Sequence, residues 1–385
     1  MDNIATLFSR PGPRVIPERV TEAREALSLS MADLGRAIDV TRQAISQYET
    51  GAKHPEGEVL SKLGKTLNQP IAYFTTDRPS GHGRPGTVFF RSFASKTKAT
   101  NKKCEIYRDW LDQITFYLGG MVTLPRVSLP ADGPADPSGA YSVEEIEQFA
   151  SQCRRMWGLG DGPISNLILL LESKGSVTVR TDFADAALDA FSCWIGARPF
   201  IFLSSDRSAV RSRYDAAHEL GHLILHSGVT TEQMEDEQTH RRVEKEANRF
   251  AAAFLLPRQV FRYEVHSKRL NSFLALKRRW RVSVAALIAR CKDLRIIDDY
   301  EFVRLRKLMS HYGYIKQEPL DDQIEPEEPT VLRRSIELLT STKTKDAAEI
   351  LTDLRLSPQA ICALSGAKPE LFAFADQQTL SLKIR

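Results

Sequence analysis

The sequence predicts a mostly α-helical chain carrying one small β-sheet, an α+β architecture. Apolar residues recur at helical spacing from about residue 17 to residue 74, through 104–118, and over long stretches beyond 265. Only two short runs, GSVTVR at 175–180 and PFIFLSS at 199–205, are dense in strand formers. HELGH at 218–222 follows them, among residues (Ala216, Ala217, Leu220, Leu223, Ile224, Leu225) that favour a buried helix. The 385 residues, 42% hydrophobic and 26% charged, lie in the ordinary globular range and suffice for two or three domains. The expected divisions are 1–75, a helical domain; 76–140, a basic linker and connecting helix; 141–265, the domain holding HELGH; 266–318, its helical extension; and 319–385, an acidic hinge with C-terminal helices.

Composition narrows the function classes. No run of about 18 uncharged apolar residues exists, so no membrane span is expected. MDNIATLFSRPGPRVIPERV lacks an apolar core behind basic residues, so no secretory signal is expected either. The cysteines (Cys104, Cys153, Cys193, Cys291, Cys362) are scattered and form no CxxC, which suits a reducing cytoplasm. A net charge of +4 permits a nucleic-acid partner without requiring one. Basic residues crowd 78–108 (Arg78, Arg84, Arg91, Lys96, Lys98, Lys102, Lys103, Arg108), and again 262–316. The Pro-broken acidic run EPLDDQIEPEEP after them reads as a disordered hinge. The plain reading of each charge run is a solvated surface.

Along the N-terminal domain, Val20, Ala23, Ala26 and Leu27 mark the first helix. Ser30, with Asp33 three residues on, caps a second whose buried face is Leu34 and Ile38. A turn at Asp39–Val40 leads to Thr41, the cap of a helix from Arg42 to Tyr48. Gly51 stops that helix, and Val59, Leu60, Leu63 and Leu67 stripe the next. Two helices joined by a turn of three or four residues form a helix-turn-helix. Leu29-Ser30, Leu34, Val40-Thr41, Ile45-Ser46, Tyr48-Glu49, Gly51, Pro55 and Leu63 resemble the XRE, or lambda-repressor-like, family. The resemblance implies double-stranded DNA as partner, with Thr41, Arg42, Gln43 and Gln47 facing base edges and Lys53 a phosphate. Met31 and Asp39 depart from the usual polar residue and glycine at their positions. The plain alternative is a helical protein-interaction domain.

HELGH carries the chemistry. On a helix, residues four apart differ by about 40° in azimuth and about 6 Å in rise, so His218 and His222 can converge on one ion. Neutral imidazole suits Zn2+, and Glu219 is placed as the general base toward a water the ion activates. A catalytic zinc needs a third protein ligand. His226 stands about 12 Å along the helix from His218, too far to share the ion, and reads as structural or substrate-side. His240 falls in TEQMEDEQTHRR, read as a surface loop. In the helix EKEANRFAAAFLLP, the stripe Val243, Ala247, Phe250, Ala251, Phe254 faces inward. Glu244 projects about 60° from its centre and Glu246 about 100° on the other side, which favours Glu244 as ligand with Glu246 the alternative. Asn248 shares the face of Glu244 and can hydrogen-bond a ligating histidine.

HExxH followed by ExxAN-x-FA and LLP resembles the ImmA/IrrE metallo-endopeptidases, whose zinc site is of the gluzincin type. The resemblance runs from about 165 to about 319 and takes in LDAFSCWIGARPFIFLSSDRSAVRSRYDAAHELGHLILH and KRRWRVSVAALIARCKDLRIID. It implies cleavage of a repressor or antitoxin, a protein substrate, to release a stress, phage or mobile-element programme. The run PFIFLSS, as an edge strand beside the zinc helix, can hold a peptide in extended form. Tyr214, His226, His240 and Tyr263 are candidates for a second oxyanion donor. The helix at 104–118 is amphipathic and is expected to join the domains or mediate a homodimer. Two functions follow: a zinc endopeptidase tethered to DNA, or a transcriptional regulator whose peptidase-like domain senses a ligand. An intact Glu219 favours the first, since a sensor needs no general base.

Overall fold

The computed structural model describes residues 14–78, 81–83, 86–90, 98–130, 140–183 and 188–373. The start of the N-terminal stretch and Arg84, Arg91 and Lys96 of the basic linker lie outside them. The first helices are α1 (Pro17–Ala26), α2 (Met31–Ala37), α3 (Arg42–Glu49), α4 (Gly57–Thr66) and α5 (Ile71–Thr75). Then come β1 (Phe89–Phe90), α6 (Lys98–Gly119), α7 (Val143–Met156), α8 (Leu167–Ser173), β2 (Val177–Thr181), β3 (Ala190–Ile195) and β4 (Arg198–Ser204). The remainder is helical: α9 (Ala209–Leu225), α10 (Thr231–Met234), α11 (Glu237–Leu255), α12 (Arg258–Glu264), α13 (Ser272–Trp280), α14 (Val284–Asp293), α15 (Asp299–His311), α16 (Val331–Ser341), α17 (Ala347–Leu354) and α18 (Pro358–Ser365). The architecture is thus mostly helical with one small sheet, an α+β fold.

The chain divides into two compact units. One draws on Met1–Gly81, Lys96–Thr123 and Leu332–Arg385, the other on His82–Ser95 and Leu124–Val331. This partition differs from the boundaries expected from sequence. Helix α6, expected as a connector, lies in the core of the first unit, with Trp110, Leu111, Ile114 and Leu118 buried. The C-terminal helices join the same unit: Tyr117 donates to Asp353 at 2.9 Å, and Ser357 N–H to the Gln69 side chain at 3.0 Å.

Within that unit, Ser30 accepts from Asp33 N–H while Asp33 accepts from Ser30 N–H, a capping box that starts α2. Asp39 sits at φ +60° in the turn to α3, a conformation Asp tolerates better than most side chains. Gly35 is required for close packing: a Cβ there would lie 2.8 Å from the Val40 carbonyl oxygen. Arg24 on α1 anchors α3 by bonding both oxygens of Glu49 (2.6 and 3.0 Å) and the Leu29 carbonyl (2.7 Å). The two side chains are 9% and 4% exposed. Breaking such a buried pair strands the other charge. Arg24→Ala is therefore expected to destabilise this unit by about 3 kcal/mol in urea unfolding.

In the second unit the sheet order is β1-β3-β4-β2, with β2 parallel to β4 and the other pairs antiparallel. PFIFLSS becomes β4, bonded on both sides by β3 and β2. It is no edge strand and cannot pair a peptide as expected, because both its backbone edges are taken. Helix α9 covers β3 and β4, and α11 lies between α9 and α7. The acidic run expected to be a disordered hinge is a fixed strap. Glu318 and Asp321 hold the fully buried Lys277 (2.9 and 2.6 Å), and Glu318 also accepts from Val284 and Ala285 N–H at the start of α14. Glu327 pairs with Arg213 and accepts from Leu167 and Ile168 N–H (2.7 and 3.1 Å) at the start of α8. Buried cations and unsatisfied helix N–H groups supply the ordering that composition alone did not show.

Candidate functional site

Helix α9 carries His218, Glu219 and His222, all fully buried. The Nε2 atoms of the two histidines lie 2.9 Å apart, so both rings aim at one point. Across from them on α11, Glu244 reaches both: 3.3 Å to His218 Nε2 and 3.2 Å to His222 Nε2. Its side chain keeps 12% exposure, which opens the group on one side. Gly221 makes this possible. A Cβ there would press at 3.2 Å on Ala247 Cα, the Ala247 carbonyl oxygen and Phe250, so glycine lets α9 and α11 cross closely enough for Glu244 to reach the rings.

Burial opposes ionisation of Glu244, yet the hydrogen bonds and charges of His218 and His222 outweigh it and hold the carboxyl far below its ordinary range. Two imidazoles and a carboxylate whose ligand atoms lie within 4.8 Å of one another form a donor set that would suit zinc. Among the described residues this is the one group of three or more His, Cys, Asp or Glu side chains so arranged.

A further residue of the group, Ser192, carries no local signal in the sequence. Its hydroxyl, on β3, donates to Glu219 Oε2 at 2.6 Å and fixes that carboxylate beside the histidines. Nothing in the run FSCW singles the serine out, because the contact spans 27 residues. Asn248 does not take the role expected of it. Its amide donates to the Glu244 carbonyl at 2.8 Å, so it braces the helix that carries the carboxylate and bonds no histidine ring. Glu246, the alternative ligand, lies away from the pair, its Oε2 3.0 Å from His226 Nε2. Burial pushes the His226 ring down to about 4, against the raising effect of Glu246.

The other oxyanion candidates are dispersed. The Tyr214 hydroxyl donates to the Asn248 carbonyl at 2.9 Å, and Tyr263 is 72% exposed on α12. His240 is buried and helical, one turn before Glu244, because Asp236 caps α11 by accepting from Thr239 N–H at 2.8 Å; the segment is no surface loop.

In the first unit, Thr41, Arg42 and Gln43 are exposed at the start of α3, Gln47 is half-buried one turn on, and Lys53 is exposed beyond its end. The Thr41 hydroxyl accepts from Ala44 N–H at 3.1 Å and so caps the helix. Neither Arg42 nor Lys53 is ion-paired among the described residues, while the acidic Glu49 is turned inward onto Arg24.

A family model described as IrrE N-terminal-like domain, of peptidase family M78, matches residues 171–292, and one described as helix-turn-helix matches 20–74. An uncharacterised transcriptional regulator in the ATPase CF(0) region of Rhodospirillum rubrum is 33% identical over 84 residues, 22% of this chain and 78% of that protein. An uncharacterised HTH-type transcriptional regulator of Sinorhizobium medicae is 30% identical over 71 residues, 18% of this chain and 51% of its own length. No described helix is long and apolar enough to cross a membrane. The chain belongs to the XRE-type helix-turn-helix transcriptional-regulator family and joins to that domain an ImmA/IrrE-like domain of peptidase family M78.

Proposed function

We propose that this chain is a cytoplasmic, DNA-binding zinc endopeptidase that cleaves a regulatory protein of repressor or antitoxin type, and so releases a stress, phage-defence or mobile-element programme. The observation that carries the reading is the buried group of His218, His222 and Glu244 with Glu219 held beside it by Ser192. His218, His222 and Glu244 would hold the zinc, which when bound would supply Lewis acidity toward a water and the peptide carbonyl. Glu219 accepts the proton of the attacking water and returns it to the leaving amine. The Ser192 hydroxyl holds one oxygen of that carboxylate in place, 2.6 Å away. Attachment to DNA raises the effective concentration of the peptidase near a DNA-bound substrate.

Elemental analysis tests the site. Wild type and Glu219→Gln are expected to hold stoichiometric zinc, and His218→Ala to lose it. A wild type that takes up no metal from added zinc sinks the peptidase. The second reading, a regulator whose peptidase-like domain senses a ligand, then stands. It is favoured by the relatives above being named transcriptional regulators.

The DNA-facing residues make separate predictions on a selected operator. Arg42→Ala is expected to cost about 1–3 kcal/mol and relax preference at one base position. Lys53→Ala is expected to weaken all sequences evenly and reduce the salt slope by about 1. Fluorescence anisotropy across a salt series separates the two.

A further inference from the structure

Glu246 stands two residues after Glu244 yet turns to the other flank of α11. Its Oε2 lies 3.0 Å from His226 Nε2, and its Oε1 accepts the Tyr141 N–H at 3.1 Å. Arg242 Nη1 lies 3.5 and 3.4 Å from the two oxygens. Glu246 is 5% exposed and His226 1%. On its other side the His226 ring meets the site: His226 Nδ1 is 3.1 Å from His222 Nδ1. The Tyr141 hydroxyl donates to the Leu225 carbonyl at 2.9 Å, tying the end of α9 to the same segment that holds Glu246.

Following the protons along this row leaves one arrangement. His222 turns Nε2 toward His218 and Glu244, so an ion held there uses the Nε2 lone pair and leaves the ring proton on Nδ1. That N–H must be the donor in the 3.1 Å contact, which makes His226 Nδ1 the acceptor. A neutral His226 then carries its proton on Nε2, aimed at the Glu246 carboxylate. Reversing either link sets two protons or two lone pairs face to face.

We propose that Glu246 and His226 are positioning residues that lock His222 in its Nδ1–H tautomer and hold the ring with Nε2 toward the metal group. The inference rests on the metal reading above. Partners on the far nitrogen of a ligating histidine orient the ring and raise its basicity, and their loss typically costs about 10–100-fold in metal affinity. Here the carboxylate acts through an intervening imidazole, and Tyr141 and Arg242 fix the carboxylate in turn.

Two readouts on the full chain test this without relying on activity. Zinc affinity, measured by competition with a chromophoric chelator, is expected to fall about 10–100-fold in His226→Ala and Glu246→Ala. His226→Asn sets an oxygen acceptor near the Nδ1 position, and Glu246→Gln keeps an acceptor for Nε2–H. Both are expected to recover most of the loss, which a merely space-filling role for the ring would not allow. In the zinc-loaded wild type, long-range proton–nitrogen spectra are expected to show His226 protonated at Nε2 alone. Unchanged affinity in both alanine variants, or a His226 protonated at Nδ1, overturns the relay and leaves the metal group standing. Zinc-free wild type in added zinc overturns the metal reading itself. If the alanine variants do not fold, the wild-type ring spectrum decides.

Discussion

Glu219→Gln is expected to retain zinc and to lose peptide-bond cleavage by about 10²–10⁴-fold, the span of a removed general base. Glu219 is fully buried on α9, adjacent in sequence to His218 and three residues before His222, and Ser192 holds its Oε2 at 2.6 Å. The amide of glutamine preserves size and one hydrogen bond but cannot accept a proton. Metal affinity and fold should therefore survive while turnover does not. The measurement is a comparison of new protein N-termini in cells producing wild type or Glu219→Gln, followed by the cleavage rate of the purified target. Equal cleavage by the two proteins would remove Glu219 from the mechanism. A loss accompanied by loss of zinc would make it part of the metal group instead.

Much of this architecture is legible in the sequence because the signals are local. Ser30 and Thr41 announce helix starts through cap chemistry that needs only three further residues, and both side chains make those bonds. Spacing places His218 and His222 one turn apart, and helix-face angles separate Glu244 from Glu246. The structure sets Glu244 against the histidine pair and Glu246 against His226. What was not legible is long-range. Strand β3 lacks the alternation of a half-buried strand, being buried at nearly every position, and its run AFSCWI mixes polar and apolar residues. The acidic strap reads locally as disorder because its counter-charges, Lys277 and Arg213, lie 41 and 114 residues away in sequence. Gly221 reads as a weak point in a helix until α11 is seen against it.

The strap yields the second large effect. Glu327→Ala is expected to destabilise its unit by about 3–5 kcal/mol, measured by chemical denaturation of the full chain. Its carboxylate serves Arg213, which is 1% exposed, and at the same time the first N–H groups of α8. Truncation leaves a buried guanidinium without its counter-charge and two helix donors without an acceptor. Glu327→Gln separates the contributions. Its amide oxygen can still accept from Leu167 and Ile168, so it is expected to fall between wild type and alanine, with the residual deficit reporting the Arg213 charge. The consequence reaches the metal group, since Arg213 is on α9 five residues before His218, and Arg180 on β2 donates to the Glu327 carbonyl at 2.7 Å. Loosening the strap therefore frees the N-terminal half of the helix that presents both histidines. Zinc affinity should weaken in Glu327→Ala in step with the lost stability. A variant that unfolds more easily yet binds zinc as tightly as wild type would show instead that α9 is held by its packing on β3, β4 and α11 alone.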